Sequence, residues 1–163
     1  MVPTTAVRRG SAVSGLLLVL FLVVHLAGLI PTVTAPESFE AYAIALHHSA
    51  WLPLLEIGLL VTLLTHLSLT AIKSIANRQA GNTAQLSSRR NDGIGWISAK
   101  GKSVAGVISL GFLVVHLQQL RWTRPGDGME REALTHLLQN PVLLCLYVLG
   151  SIAIGLHLLH GNE

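Results

Sequence analysis

Charged residues are scarce in this sequence of 163 residues, of which only 12% are Asp, Glu, Lys or Arg. Hydrophobic residues make up 51%, and the mean hydropathy is +0.58. Both values lie outside the usual balance of a soluble domain of this length. The composition therefore excludes an ordinary water-soluble enzyme domain and favours a protein that is dissolved in lipid.

Cysteine is almost absent, since Cys145 is the only one in the chain. A single thiol excludes a disulfide framework, a zinc site built on cysteine spacing and the four thiolates of an iron–sulfur cluster. We interpret Cys145 as a small core residue of an apolar stretch.

A strongly acidic or basic character is also lacking. The net charge is +3 and the isoelectric point is about 9.5. The cations fall beside the ends of apolar stretches, as they do in the loops of membrane proteins, and form no stripe that would fit a nucleic-acid backbone. We therefore expect membrane lipid, and no nucleic acid, among the partners.

Long apolar stretches are the main feature that is present. Four of them are long enough, at about 1.5 Å rise per residue, to cross a hydrocarbon core of about 30 Å. They cover residues 12–30, 52–76, 103–120 and 141–160. Backbone polar groups cannot stay unpaired in lipid, so stretches without alternating polarity should be helices. The sequence predicts an all-α membrane protein in which residues 1–163 form one four-helix transmembrane domain.

The first apolar stretch is preceded by Arg8 and Arg9, as a signal peptide would be. Its apolar core of about 19 residues is too long for the hydrophobic region of a signal peptide, and no convincing small-residue cleavage site follows it. We expect this stretch to be retained as the first transmembrane helix.

Positive charge is concentrated before the first stretch and around the loop of residues 77–101. The cations that flank this loop are Lys73, Arg78, Arg89, Arg90, Lys100 and Lys102. Because cytoplasmic loops carry the excess of Lys and Arg, we expect this loop and both termini in the cytoplasm. The two outer connections should contain short interfacial helices at residues 36–48 and 129–138.

Each apolar stretch contains one histidine well inside it, namely His25, His66, His116 and His157. An ionisable side chain at that depth is costly and usually marks function. A lone histidine is as often a hydrogen-bonding link between helices. Four of them, one in each stretch, favour a shared role as ligands.

An internal repeat places two of these histidines in identical surroundings. Residues 21–26 and 112–117 share the sequence Phe-Leu-Val-Val-His-Leu, and Gly15 and Gly106 lie ten positions before His25 and His116. Apolar stretches share valine and leucine by chance. The identically placed histidine is the informative part of the repeat.

The depth of each histidine follows from the alternating direction of the four helices. His25 and His116 lie roughly 20 Å from the cytoplasmic ends of their helices, and His66 and His157 lie roughly 21 to 24 Å from the outer ends. The first two therefore belong in the outer half of the membrane and the last two in the inner half. Such depth-matched pairs are what bis-imidazole ligation of two stacked b haems requires.

Neighbouring residues compete with these ligands or assist them. His160 lies three residues from His157 and is an alternative ligand, while His47, His48 and His136 fit a solvated surface. The second ring nitrogen of a ligand histidine needs an oxygen partner, for which Thr62 or a backbone carbonyl of the same helix suits His66. Six glycines would let a flat macrocycle approach, although small residues also serve plain helix packing: Gly15, Gly28, Gly106, Gly111, Gly150 and Gly155.

Basic residues near the helix ends are candidates for contact with haem propionates. Arg121 and Arg124 lie near the outer haem, and Lys73 and Arg78 near the inner one. Snorkelling of long basic side chains to the membrane interface explains the same positions.

Several motifs together resemble the di-haem cytochrome b558 subunit, the membrane anchor of succinate dehydrogenase and fumarate reductase (succinate:quinone oxidoreductase). The likeness spans nearly the whole chain, and the ligand spacing of 41, 50 and 41 residues is also similar to that of the family. The motifs are Ser14-Gly15, residues 21–28, Tyr42-Ala43, Glu56, His66, residues 77–80, residues 112–117 and residues 157–161.

The resemblance implies a function in a bacterial inner (plasma) membrane. A flavoprotein and an iron–sulfur subunit would dock on the cytoplasmic face, and electrons would pass through the haems to or from a quinone, typically menaquinone. His66 and His157 would bind the proximal haem, and His25 and His116 the distal haem. The chain would hold no substrate chemistry of its own. Family members usually continue into a fifth transmembrane helix, whereas this sequence ends at Glu163.

Two other functions fit the same residues. A di-haem cytochrome subunit of a hydrogenase or formate dehydrogenase also uses paired histidines on four helices. A haem-free transport or assembly protein would use the histidines to carry protons or to join helices.

Overall fold

The computed structural model describes the backbone of residues 4–79 and 93–159 and the side chains of residues 5–76, 79, 101 and 104–159. Within these ranges the chain is helical apart from short turns and contains no β-strand. It divides into two compact units, with the boundary between Ala84 and Gln85.

Unit 1 consists of two long helices and the two short helices that connect them. The elements are α1 (Thr4–Leu29), α2 (Pro31–Thr34), α3 (Pro36–His47) and α4 (Leu52–Gln79). Both short helices begin with proline at the first helical position. Proline lacks an N–H group, which is not needed in the first turn of a helix, so Pro31 ends the regular α1 helix and starts a new one.

Unit 2 repeats this plan with a third and a fourth long helix. Its elements are α5 (Gly93–Leu117), a π-helical turn (Gln118–Trp122), α6 (Glu130–Gln139) and α7 (Pro141–Leu159). Asn140 caps α7, because its Oδ1 accepts hydrogen bonds from the backbone N–H groups of Val142 at 3.0 Å and Leu143 at 3.3 Å. Pro141 then occupies the first helical position.

Among the described residues, the four predicted long apolar helices are confirmed. The segments long and apolar enough to cross a membrane are Thr5–Thr34, Leu52–Ala76, Val104–Trp122 and Pro141–Leu159. Most of their large apolar side chains are exposed, which fits surfaces that face lipid. The short helices predicted between the first and second spans and between the third and fourth spans are also present, as α3 and α6.

Two expectations need correction. The predicted loop of residues 77–101 is helical at both ends, because α4 continues to Gln79 and α5 already begins at Gly93. Hydropathy marks only the apolar part of a helix, and no proline stops the polar turns that extend these two helices. Cys145, expected in the core, is exposed on α7.

The long helices of each unit pack against each other in antiparallel fashion. In unit 1, Gly10 faces Leu69 and Gly15 faces His66. In unit 2, Gly106 faces His157, and further along the pair Phe112 lies against Gly150. Each unit is therefore a helical hairpin with a short helix in its connection.

Candidate functional site

The two units carry their intramembrane histidines at equivalent positions. His25 and His116 are 91 residues apart, and His66 and His157 are also 91 residues apart. His25 and His116 lie on the first long helix of their units, α1 and α5, and His66 and His157 lie on the second, α4 and α7. The repeated hexapeptide is thus the most visible part of a repeat that includes the complete hairpin.

In unit 1, the imidazole of His66 lies against the backbone of Gly15 on the facing helix. A Cβ atom added at Gly15 would come within 3.2 Å of Cε1 and 3.5 Å of Nδ1 of His66. Such an approach is closer than an ordinary van der Waals contact with carbon, so only glycine fits beside the ring as it stands. Nδ1 of His66 also lies 3.2 Å from Oγ of Ser14 and 3.2 Å from the carbonyl oxygen of Ser11.

In unit 2, His157 makes the same approach to Gly106. A Cβ atom added at Gly106 would come within 3.2 Å of Cε1 and 3.3 Å of Nδ1 of His157. Gly15 and Gly106 are themselves 91 residues apart. A histidine set against a glycine is therefore a feature of the repeated hairpin and not an accident of one helix pair.

The other two histidines lie beside aromatic rings. The Phe21 and His25 rings are stacked, with centroids 5.6 Å apart, and the Phe112 and His116 centroids are 5.8 Å apart. Both contacts join residues four apart, which lie on the same face of a helix. In unit 2 the ring of Tyr147 adds a further contact, with its centroid 5.9 Å from that of His116.

Tyr147 links the fourth span to the end of the third span through its hydroxyl and its ring. Its hydroxyl donates a hydrogen bond to Oε1 of Gln119 in the π-helical turn, at 3.2 Å, and its ring meets Phe112 edge-on at 5.2 Å. This link holds the α5 segment that carries His116 against α7.

No family model, characterised protein or solved structure matches this chain. Its function therefore has to be inferred from its own residues and their arrangement.

The six glycines singled out in the sequence separate into three groups. Gly15 and Gly106 contact histidines, whereas Gly28 faces the hydroxyl of Tyr42 and Gly150 faces Phe112. Gly111 and Gly155 have open space where a Cβ atom would be. Only the first group brings the backbone close to a proposed ligand.

The oxygens at Nδ1 of His66 belong to the facing helix, and Thr62, one of the two partners expected, bonds within its own helix. Thr62 donates its hydroxyl to the carbonyl oxygen of Gly58 at 2.8 Å, and the oxygens at Nδ1 of His66 come from Ser14 and Ser11 on α1. Helix periodicity identifies neighbours on the same helix but does not tell which turn of another helix they face. The Ser14-Gly15 pair ahead of the repeated hexapeptide was the available signal.

The basic residues proposed to contact haem propionates lie in environments that differ from one residue to the next. The Arg124 guanidinium pairs with Asp127 at 2.5 Å and Glu130 at 2.9 Å, and the hydrogen bond to Glu130 raises the pKa of Arg124. Arg121 is partly buried and Lys73 is exposed. The side chain of Arg78 and the whole of His160 lie outside the described residues.

The remaining histidines only partly match the expected solvated surface. His48 and His136 are exposed, but His47 is partly buried at the end of α3. Among the described residues no three His, Cys, Asp or Glu side chains converge to form a metal site. A haem iron needs just two axial protein ligands, so that observation is compatible with ligation by histidine pairs.

Proposed function

We propose that this chain is the haem-binding membrane anchor subunit of a succinate:quinone oxidoreductase, and that it passes electrons between an iron–sulfur subunit and a membrane quinone. The observation that carries the proposal is the repeated hairpin. Each copy places one histidine on each of its two long helices and sets the second against a glycine, Gly15 in one copy and Gly106 in the other.

The histidines and the residues beside them have the chemistry and the free space that two b haems would need. Histidine would supply a nitrogen to hold the haem iron, and glycine beside the ring leaves no side chain to push the imidazole aside. Phe21 and Phe112 give His25 and His116 an apolar flank of the kind that surrounds haem in membrane cytochromes. By depth, we pair His66 with His157 and His25 with His116.

When bound, haem would supply an iron that takes up and releases one electron at a time. The chain's own part is to hold that iron through imidazoles and to set its potential through nearby hydrogen bonds and an apolar medium. The four spans anchor the subunit in lipid. Oxidation or reduction of the dicarboxylate would belong to a flavoprotein on the cytoplasmic side, and a quinone such as menaquinone would exchange electrons within the membrane.

Alanine substitution of single histidines tests the ligand assignment. We expect His66→Ala and His25→Ala each to lower the haem content of the purified protein from two per chain to one, and to remove different haems in a redox titration. The exposed His136 on α6 is the matched control, because His136→Ala should keep both haems. If either variant in the membrane spans kept both haems, that histidine would not be a ligand.

Co-purification tests the partners. A tagged chain taken from its native membrane with mild detergent should bring down a flavin-containing and an iron–sulfur subunit, and the complex should reduce a quinone with succinate or oxidise a quinol with fumarate. Recovery of a hydrogenase or formate dehydrogenase instead would contradict the choice of enzyme and leave the haems in place.

A haem-free membrane protein is the second candidate, and the hydrogen bonds of His66 to Ser14 and Ser11 favour it. In that case the histidines would only join helices. A reduced-minus-oxidised absorption spectrum separates the two, since the haem-free protein would show no b-type band.

A further inference from the structure

Ser14 is a buried polar residue inside the first membrane span, with only 5% of its surface exposed. Its hydroxyl lies 2.8 Å from the carbonyl oxygen of Gly10, one turn back on α1, and 3.2 Å from that of Ser11. On its other side it lies 3.2 Å from Nδ1 of His66. A serine in a helix usually donates its single proton to such a carbonyl, which leaves the oxygen as an acceptor.

The positions of these atoms favour one of the two neutral tautomers of His66. A carbonyl oxygen can only accept, and the Ser11 carbonyl lies 3.2 Å from Nδ1. If the Ser14 proton pointed at Nδ1 instead, the lone pair of that nitrogen would face the Ser11 carbonyl oxygen. With Nδ1 protonated, both α1 oxygens accept from it, and Nε2 is the nitrogen that carries the lone pair of the neutral ring.

The repeated hairpin has no serine at the equivalent position. Ala105 lies 91 residues after Ser14, directly before Gly106, and is equally buried, with 5% of its surface exposed. Both residues thus precede the glycine against which a histidine lies. The two copies therefore differ at this position, where the first has a serine and the second has an alanine.

We propose that Ser14 is a positioning residue that accepts the Nδ1 proton of His66 and so fixes the tautomer whose Nε2 binds haem iron; the second hairpin has Ala105 at this position. The inference rests on the proposed function, because it needs a haem at His66. An imidazole that donates from Nδ1 to an oxygen gives more electron density to its metal. Greater electron density stabilises ferric iron and lowers the midpoint potential of that haem.

Removal of the hydroxyl should therefore raise one midpoint potential. In Ser14→Ala the Ser11 carbonyl remains as an acceptor, so we expect both haems to stay bound, with the potential of one haem shifted upward and its low-spin EPR signal displaced. Ser14→Thr keeps a hydroxyl at the same place and should restore the wild-type potential. Thr62→Ala is the matched control, since Thr62 also donates to a carbonyl of its own helix but contacts Gly58 and not His66.

The experiment is a redox titration, with EPR spectra, of the assembled complex carrying wild-type, Ser14→Ala, Ser14→Thr or Thr62→Ala chains. An upward shift of one haem in Ser14→Ala alone supports the proposal. Wild-type potentials and spectra in Ser14→Ala would overturn the role of Ser14 and leave the haem assignment standing. A wild-type chain without haem would overturn the proposed function and this inference with it. If Ser14→Ala failed to assemble, a shifted potential in Ser14→Thr would equally contradict the role of the hydroxyl.

Discussion

At the scale of single residues, the close approach of glycine to histidine is the feature most directly tied to ligand geometry. A side chain at Gly15 or Gly106 would need the space that His66 or His157 now occupies. We predict that Gly15→Val and Gly106→Val each weaken the binding of one haem by about tenfold or more, as changes next to metal ligands commonly do. Haem content after purification, with the EPR signal of each haem, measures the effect.

Gly111 supplies the control for these valine substitutions. It lies five residues from both Gly106 and His116, hence about 140° around the helix from each, and a Cβ atom there would meet open space. Gly111→Val should keep both haems. Equal haem loss from all three variants would mean that valine disturbs the helices in general and does not act through the histidines.

The sequence predicted the residue positions better than their contacts. The four histidines and the two repeated glycines could be identified from spacing, because each lies in a regular place within an apolar stretch. The pairing of Ser14 with His66 could not, since these residues are 52 positions apart and their contact depends on how two helices are rotated against each other. Thr62 was the nearer choice in sequence, but its hydroxyl bonds within α4.

At the scale of helices, α5 and α7 approach each other closely where Phe112 lies on Gly150. The ring is so close that no Cβ atom fits at position 150 unless the Phe112 side chain or one of the helices shifts. We predict that Gly150→Leu destabilises unit 2 by about 1–3 kcal/mol or more, the usual range for overpacking. Thermal unfolding in detergent, followed by circular dichroism, should show a lower midpoint.

Gly155 lies on the same helix and is the matched control for Gly150. A Cβ atom at Gly155 would meet no other atom within 4 Å, so Gly155→Leu should unfold close to the wild-type temperature. Similar losses in both variants would contradict the specific contact with Phe112.

The number and type of the long helices followed from the sequence because hydrophobic length alone identifies a membrane span. The ends of these helices were predicted less accurately. α5 begins at Gly93, ten residues before the apolar stretch, and α1 ends at Leu29 with a separate short helix after Pro31. A hydropathy pattern assigns polar turns to loops even where the backbone hydrogen bonds of the helix continue. A proline can start a helix as readily as it ends one.

At the scale of the whole molecule, the chain is two copies of one helical hairpin. Every intramembrane histidine of the first copy has a counterpart 91 residues later. Under the proposed assignment, the histidines that would bind each haem come from equivalent positions of the two copies. The sequence showed the hexapeptide and the ligand spacing, but the structure adds that the intervening helices and the glycine contacts repeat as well.

Membrane orientation is a separate expectation at this scale, based on the distribution of Lys and Arg. In a Cys145→Ala background, a cysteine introduced by Thr135→Cys on α6 should react with a membrane-impermeant maleimide added to intact cells. A cysteine introduced by Ser88→Cys, which lies between α4 and α5 in the sequence, should react only after the membrane is opened. The reverse pattern of labelling would contradict a cytoplasmic N-terminus.

The central claim is that this chain holds two b haems through its four intramembrane histidines. Pyridine haemochrome quantification of the purified polypeptide tests it most directly, because it reports both the type of haem and the amount per chain. We predict a b-type spectrum and two haems per polypeptide, falling to one in His66→Ala. A wild-type preparation that retains its fold and contains no haem would contradict the account.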